Sequence, residues 1–412
     1  RAVGTQTLRQ ARNLDEFLLE AQHALGFPIE VISGREEARL VFEGCMHALP
    51  PSTARRLVVD VGGASTEVVV GKGFVAESAE SFKVGCVNTS LRFFKDGRID
   101  RASLKRAQVA ACAEFEEAVS VFSRGQWDEA YGSSGTAGAV SDILRTQGWT
   151  DGTITAQGLL TLRYALLDAG EIKRIRLAGM KPDRQEVLTG GVAVLSAVFE
   201  SFGITEMRPA RGALRVGVLH DLLGRRERKD LRDASVNRMQ ARLGVDRAQA
   251  QRVNVLAAQL LSAVSPEASD EAANRLRWAA LLHEAGFAIS HSDYHKHAAY
   301  LIEHSDVAGF STSDQKRIAT LVLAQRGNLK KVSYALEDQE SLAVILSLRL
   351  AILLLHARRT VELPHWSLKL GKAIEFGLSG DWLSQHPLTQ YLLDEEAAHW
   401  EKVNVAFTLR QL

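Results

Sequence analysis

The chain has 412 residues, 46 % of them apolar and 24 % charged, a balance that excludes a disordered chain and a collagen-like fibre. Fifty basic and 49 acidic side chains leave a net charge of +1, which excludes a generic polycation of the histone kind. Cys45, Cys86 and Cys112 are an odd count without a CxxC pair, so neither a disulfide nor a zinc framework is expected and a reducing compartment fits.

At about 100–200 residues per domain the length implies two to four domains. The chain opens on RAVGTQTLRQ, which has neither a starting Met nor a charged-then-apolar export pattern. Pro28–Ser33 and Leu57–Val61 are β-branched runs bounded by turn residues, and Glu67–Val70 follows after a short loop. Leu104, Val109, Ala110, Phe115, Val119 and Phe122 recur near helical spacing, and Tyr131 leads through a Gly/Ser loop into a helical segment, Ala137–Arg145. Strands interleaved with helices predict an α/β domain up to about Leu223.

Gly224–Asp233 is dense in charge without an apolar face and reads as a linker or an exposed helix start. Beyond it the strand signals vanish. Ala248–Val264, Asp270–Ala285, Asp314–Gln325 and Glu340–Ala357 predict an all-helical domain. The longest apolar run, Leu342–Leu355, is interrupted by Ser347 and Arg349 and falls short of the roughly 20 residues of a membrane span, so it reads as a buried helix. After Pro364, Ser367–Phe376 and Val403–Leu409 look like strands, with a helix over Asp394–Glu401 between them.

The most informative stretch is Leu57–Gly71, LVVDVGGASTEVVVG. An apolar strand ends in Asp60; Gly62, Gly63, Ser65 and Thr66 follow; Glu67 opens the next strand. Glycine backbone can approach an anion closely, the two hydroxyls are candidate donors to it, and two acids flanking the turn suit a hard cation such as Mg²⁺. The loop exits into a strand, which excludes a Walker loop and a dinucleotide fingerprint. A second Gly/hydroxyl loop, YGSSGT, places Ser134, Gly135 and Thr136 at a helix start, where N–H groups bind anions or serve only as caps.

Glu36 and Glu37 sit in the first turn of a helix after Ser33-Gly34, a position comfortable for any acid. Spacing alone does not choose which of them, if either, orients a water. Arg9, Arg184 and Arg215 are candidate phosphate forks and equally ordinary surface arginines. His283-Glu284 and His291, His295, His297 and His304 invite a metal reading, but no acid-rich ligand set accompanies them, and capping or surface histidines are the simpler account. Arg225–Lys229 and Lys330-Lys331 are basic tracts that solvation alone explains.

Together VGTQTLRQARN, PIEVISGREEARLVF, RLVVDVGGASTEVV, VGCV, YGSSGT, GALRVGVL and RWAALLHEAGFAISHSDYHKHAAYLI resemble the exopolyphosphatase / guanosine pentaphosphate phosphohydrolase family of the actin-like phosphotransferase superfamily. The resemblance covers nearly the whole chain, in family order. It implies α/β actin-like (ribonuclease H-like) lobes, with residues 1–38 the remainder of the first and 39–223 the second. A helical metal-phosphohydrolase-like domain without its metal site, 224–359, and a small mixed α/β C-terminal domain, 360–412, would follow.

The resemblance makes Glu37 the base that activates water. It makes Asp60 and Glu67 the Mg²⁺ and phosphate-site carboxylates, Gly62, Gly63, Ser65 and Thr66 the phosphate loop, and Arg9 and Arg184 cleft arginines. It further implies release of orthophosphate from the end of inorganic polyphosphate as the first reading. Removal of the 5′ γ-phosphate of guanosine pentaphosphate, in the stringent response, is the alternative. A homodimer is expected, in the cytoplasm or peripheral to the inner membrane, with no nucleic-acid partner and no membrane insertion. The family's opening Asp-x-Gly-Ser-Asn-type loop has no counterpart here, which predicts a chain starting inside the first lobe. Arg211 and Val216 stand where relatives usually carry acids. The missing loop keeps a non-catalytic polyphosphate- or nucleotide-binding regulator open as a further alternative; an actin-like sugar kinase would need an adenine pocket that the sequence does not show.

Overall fold

A computed structural model describes residues 1–226 and 230–412. It divides into two compact units, Arg1–Asp230 and Leu231–Leu412.

The first unit opens with β1 (Ala2–Gly4), α1 (Gln6–Arg9), α2 (Leu14–Leu25) and β2 (Ile29–Val31), and β1 pairs with β2 in parallel. Helix α3 (Gly34–Ala48) follows, capped by Ser33, whose Oγ accepts from the Glu36 N–H. It is continuous through 38/39, where the lobe boundary was expected. A meander comes next: β3 (Arg55–Val61), β4 (Thr66–Lys72) and β5 (Val75–Phe82). Then come α4 (Cys86–Phe93), α5 (Arg101–Phe115), α6 (Val119–Phe122), β6 (Glu129–Ser133), α7 (Ser134–Thr146), β7 (Ile154–Thr155), α8 (Ala156–Ala169), α9 (Gln185–Phe202), β8 (Glu206–Pro209) and α10 (Leu214–Arg226). The six-stranded sheet runs β5-β4-β3-β6-β8-β7, antiparallel through the meander and parallel from β3 to β6 to β8. This is the mixed α/β lobe expected of the actin-like class.

Leu57–Val59 of strand β3 read as a continuous apolar run because both faces of the strand are buried. Leu57, Val59 and Val61 join the core that includes Phe115, Phe122 and Phe202. Val58 faces the other way and packs with Val69, Ala38, Val41 and Phe42 beneath α3. Burying a valine of this kind contributes about 1.5–3 kcal/mol. Helices α3 and α10 meet backbone to backbone. A Cβ on Gly44 would run into the Ala213 carbonyl, and one on Gly217 into the Leu40 carbonyl, so glycine is required on both sides of this contact.

The second unit contains α11 (Leu231–Leu243), α12 (Arg247–Val264), α13 (Asp270–Leu282), α14 (Tyr294–His304), α15 (Thr312–Ala324) and α16 (Gln339–Leu354). A three-stranded sheet follows, in which β10 (Ala373–Leu378) lies between antiparallel β9 (Trp366–Leu370) and parallel β11 (Ala406–Gln411). Helices α17 (Gly380–Gln385) and α18 (Pro387–Glu401) precede β11. One core runs from Val236 through Trp278 to Phe376, Trp400 and Phe407, so the helices and the small sheet share their interior. Arg349, 2 % exposed, is spent on Glu396 at 2.5 and 2.6 Å and on the Ala324 and Gly327 carbonyls, which ties α16 to α18.

Three expectations change. Ser367–Phe376 is a hairpin, not one strand, because Gly371-Lys372 turns the chain between β9 and β10. The helix expected from Asp394 begins at Pro387, whose fixed φ suits a first helical position. Helix α10 reaches Arg226 and α11 starts at Leu231, so helix occupies both ends of the expected linker; residues 227–229, with the rest of that basic tract, lie outside the described residues. Arg225 itself is not free surface: it pairs with Asp221 at 3.1 Å.

Candidate active site

Asp60 and Glu67 occupy directly opposed positions on β3 and β4. Opposed residues of an antiparallel pair project from the same face. Here that is the face of Val58 and Val69, the one α3 covers. The apolar surface under α3 thus gives way to two acids at the end of the ladder. Glu37, in the first turn of α3, is the third member: the charges of Glu37, Asp60 and Glu67 act on one another electrostatically. Their exposures are 8 %, 6 % and 2 %.

Removing carboxylates from water disfavours their charge, and neighbouring negative charge adds to the effect. Burial, then Glu37, then Asp60 push Glu67 up to about 8. Burial, followed by Glu37 among the neighbouring charges, pushes Asp60 up to about 6 against the hydroxyls of Ser134 and Ser133. Burial also raises Glu37, but here Arg9 opposes it. Arg9 donates from Nη2 to Glu37 Oε2 at 3.0 Å, and it is itself held by Nη1 to the Ile32 carbonyl at 2.8 Å and Nε to Gln6 Oε1 at 3.0 Å. Thr5 adds a side-chain hydrogen bond to Glu37. Of the three acids, Glu37 is the one with a cationic partner, which favours its ionised form.

The β3–β4 loop is fixed from outside. The N–H groups of Cys86, Val87 and Asn88 at the start of α4 donate to the Gly62 and Gly63 carbonyls at 2.8, 2.9 and 3.2 Å, and the Gly62 N–H donates to the Ser65 carbonyl at 2.9 Å. The N–H groups of Gly63 and Ala64 have no partner among the described residues. The hydroxyls expected as donors have partners within the chain. Thr66 is fully buried and donates to the Val84 carbonyl at 2.6 Å; Thr136 donates to the Val61 carbonyl at 2.8 Å and ties α7 to the end of β3. The Ser65 side chain hydrogen-bonds Glu67, so its hydroxyl serves the acid cluster.

At the start of α7, just after β6, Ser134 is exposed, hydrogen-bonds Asp60, and sits at φ +70°. Such a backbone costs of order 1–3 kcal/mol and tends to persist at ligand sites. Gly135 touches Arg184: a Cβ there would overlap the guanidinium. The arginine and the glycine loop, 49 residues apart, therefore meet.

Glu36 and Glu37 separate cleanly. Glu36 is bonded to Arg39 at 2.8 Å, inside a network with Glu43 and Asp221, while Glu37 faces the acids. Arg215 is exposed on α10, and the hydrogen bonds and ion pairs of the acid cluster do not include it. Ser81 of β5, which no motif marks, donates to Glu67 Oε1 at 2.7 Å; its signal is only that β5 lies beside β4 with Ser81 opposite Glu67. In the second unit, His283 is buried with Nδ1 against the Ala280 carbonyl at 2.7 Å, and Glu284 is taken by Arg358. Among the described residues no group of three or more His, Cys, Asp or Glu side chains is arranged to hold a metal ion. No described helix is long and apolar enough to cross a membrane.

Residues 1–226 match the Ppx/GppA phosphatase family, and residues 231–397 match domain III of the same family. The guanosine-5′-triphosphate,3′-diphosphate pyrophosphatase of Vibrio cholerae is 35 % identical over 403 residues, covering 96 % of this chain and 81 % of that protein. The enzyme of that name from Pseudoalteromonas translucida is 35 % identical over 408 residues, covering 97 % and 82 %. Among solved structures, the Aquifex aeolicus PPX-GPPA enzyme is 25 % identical, with a TM-score of 0.45 over 53 % of this chain and 74 % of that one. With family matches over both units and relatives aligned over nearly its full length, the chain belongs to the Ppx/GppA phosphatase family.

Proposed function

We propose that this protein hydrolyses a terminal phosphoanhydride bond, and that guanosine 5′-triphosphate 3′-diphosphate is its first substrate. The observation that carries the chemistry is the convergence of Glu37, Asp60 and Glu67 on one buried patch, with Arg9 bonded to Glu37. The names of the two relatives support the nucleotide over inorganic polyphosphate, which the sequence reading put first. Long polyphosphate presents the same terminal bond and is the second substrate to assay.

In the proposed reaction Glu37 accepts a proton from water as the water oxygen bonds to the terminal phosphorus. The bridging P–O bond breaks, and the leaving phosphate carries the electron pair away. Burial brings the Glu37 carboxyl closer to neutral pH, which makes it a better base, and Arg9 keeps it ionised and oriented. The N–H groups of Gly63 and Ala64 and the Arg184 guanidinium would hold phosphoryl oxygens; positioning and charge stabilisation supply most of the rate in such reactions.

Asp60 and Glu67 fit a divalent cation. Two opposed buried carboxyls, both raised by burial and by the Glu37 charge, are relieved by a hard cation, and Mg²⁺ commonly takes one or two carboxylates and fills its shell with water and phosphate oxygens. Bound there, it would neutralise charge on the phosphate being transferred.

Orthophosphate release from the nucleotide and from long polyphosphate, measured at equal enzyme, is the test. Glu37→Gln is expected to lower turnover of either by about 10²–10⁴-fold, the usual contribution of a positioned base. Unchanged turnover sinks the mechanism, and a strong preference for polyphosphate sinks the choice of substrate.

A further inference from the structure

One pocket of the second unit has no part in this chemistry. It is a cavity of about 500 Å³, inside the roughly 300–1,000 Å³ range of small-molecule sites, bounded by α12, α14, α16, α18 and the segments after α13, α15 and α16.

Four of its charged side chains pair within the lining, and Arg326 hydrogen-bonds Tyr294 and lies over its ring, 5.4 Å from the centroid. Glu284 is held by Arg358, and Glu396 by Arg349. Two polar atoms remain. Gln325 is 2 % exposed, and its Nε2 donates to the His283 and Val322 carbonyls, both at 2.9 Å. Those two carbonyls fix the amide orientation, since flipping it would set oxygen against oxygen. Gln325 Oε1 is left with no partner among the described residues, and His399 Nδ1 is likewise without one. Burial and Arg349 lower the His399 pKa, so its ring is neutral and offers one donor and one acceptor. The walls between these groups are flat and apolar: Phe287 and Tyr294, with ring centroids 4.4 Å apart, together with Tyr391 and Ile352.

A buried acceptor without a donor costs about 1–3 kcal/mol, which a ligand N–H would recover. An acidic ligand gains little from Arg349 and Arg358, which are paired. A metal gains little from Glu284 and Glu396, which are taken. The remaining match is a flat, uncharged ring with N–H donors and a ring-nitrogen acceptor. We propose that this cavity binds a purine base, with ring faces against the aromatic walls and an N–H donated to Gln325 Oε1.

The full chain is titrated with guanosine and with adenosine, which carry no phosphate to hydrolyse, by calorimetry and by thermal denaturation. Ribose and inorganic phosphate are run beside them. At least one purine nucleoside is expected to bind with a Kd below about 1 mM and to raise Tm. Ile352→Trp, which fills the cavity, and Tyr391→Ala, which thins its wall at an exposed position, are each expected to weaken binding at least tenfold while leaving orthophosphate release unchanged.

Absence of binding by both nucleosides overturns the proposal. So does an equal response to ribose or phosphate, and so does undiminished binding in Ile352→Trp, which would place the ligand elsewhere. Should Ile352→Trp fail to fold, undiminished binding in Tyr391→Ala decides against it.

Discussion

Asp60 and Glu67 face one another across the β3–β4 ladder, two buried acids where an antiparallel pair ordinarily carries opposite charges or apolar groups. The arrangement costs folding free energy and is maintained by the strands around it. That cost makes the site measurable without substrate.

Stability should depend on pH with a sign set by these two groups. Glu67 rises from 4.5 to about 8 on folding and Asp60 from 3.8 to about 6, so over that span the native state binds protons the unfolded chain has released. Stability then falls as pH rises from about the unfolded values through about 8, the reverse of a salt-bridged acid. In EDTA, Tm of the unit-1 transition is expected to drop across this window. Glu67→Gln should flatten the drop, and Mg²⁺ should raise Tm most at its alkaline end. A flat profile in the wild type counts against the buried acid pair.

Ser81→Ala removes the hydroxyl that donates to Glu67 Oε1 at 2.7 Å. Without it the ionised form of Glu67 loses support, and the acid limb of the pH–rate profile is expected to move to higher pH. Turnover at neutral pH should fall on the order of tenfold, the scale of one hydrogen bond to a charged group. A uniform loss with no displacement of the limb would mean that Ser81 acts only through packing.

Gly135→Ala separates catalysis from folding. The new methyl meets the Arg184 guanidinium, the mobile end of a side chain that is 36 % exposed and can swing aside. Tm should hold or rise slightly, since alanine favours a helical turn over glycine by about 0.5–1 kcal/mol. kcat/KM should fall by about 10–100-fold if Arg184 binds the terminal phosphate, worth about one to two charged hydrogen bonds. Unaltered kinetics would remove Arg184 from the site.

Arg349→Met tests the second unit. It leaves Glu396 buried with only the Trp400 Nε1 donor at 2.7 Å. Breaking a buried pair by removing one partner costs about 3–5 kcal/mol. Chemical denaturation should show that loss, and the double variant with Glu396→Leu should recover part of it.

Much of the site was legible because β3 is buried on both faces. A run such as LVVDV needs that environment, and the acid at its end then has to answer to chemistry. What the text could not supply was distance. Glu36 and Glu37 are adjacent, both acidic and both buried; only the fold shows Arg39 taking one and Arg9 the other. Thr66 and Thr136 have the residue type of phosphate ligands, and only the fold shows their hydroxyls donating to main-chain carbonyls. Ser81 lies on β5, whose sequence VAESAESF is polar enough to pass for a loop, so neither strand nor residue announced itself. The second unit's helices were readable from periodicity, whereas its hairpin turned at Gly371-Lys372, too faint a break inside an apolar run.

The contact between α3 and α10 has a consequence for how this protein can fail. At Gly44 and Gly217 two main chains touch directly, so the distance from the helix carrying Glu37 to its neighbour is set by peptide groups rather than by adjustable side chains. No compensating repacking is available there. A single added methyl would lever the first turn of α3 off the acid pair, silencing the protein from a place that meets neither water nor phosphate. Lesions of that kind would look like folding defects in one assay and catalytic defects in another.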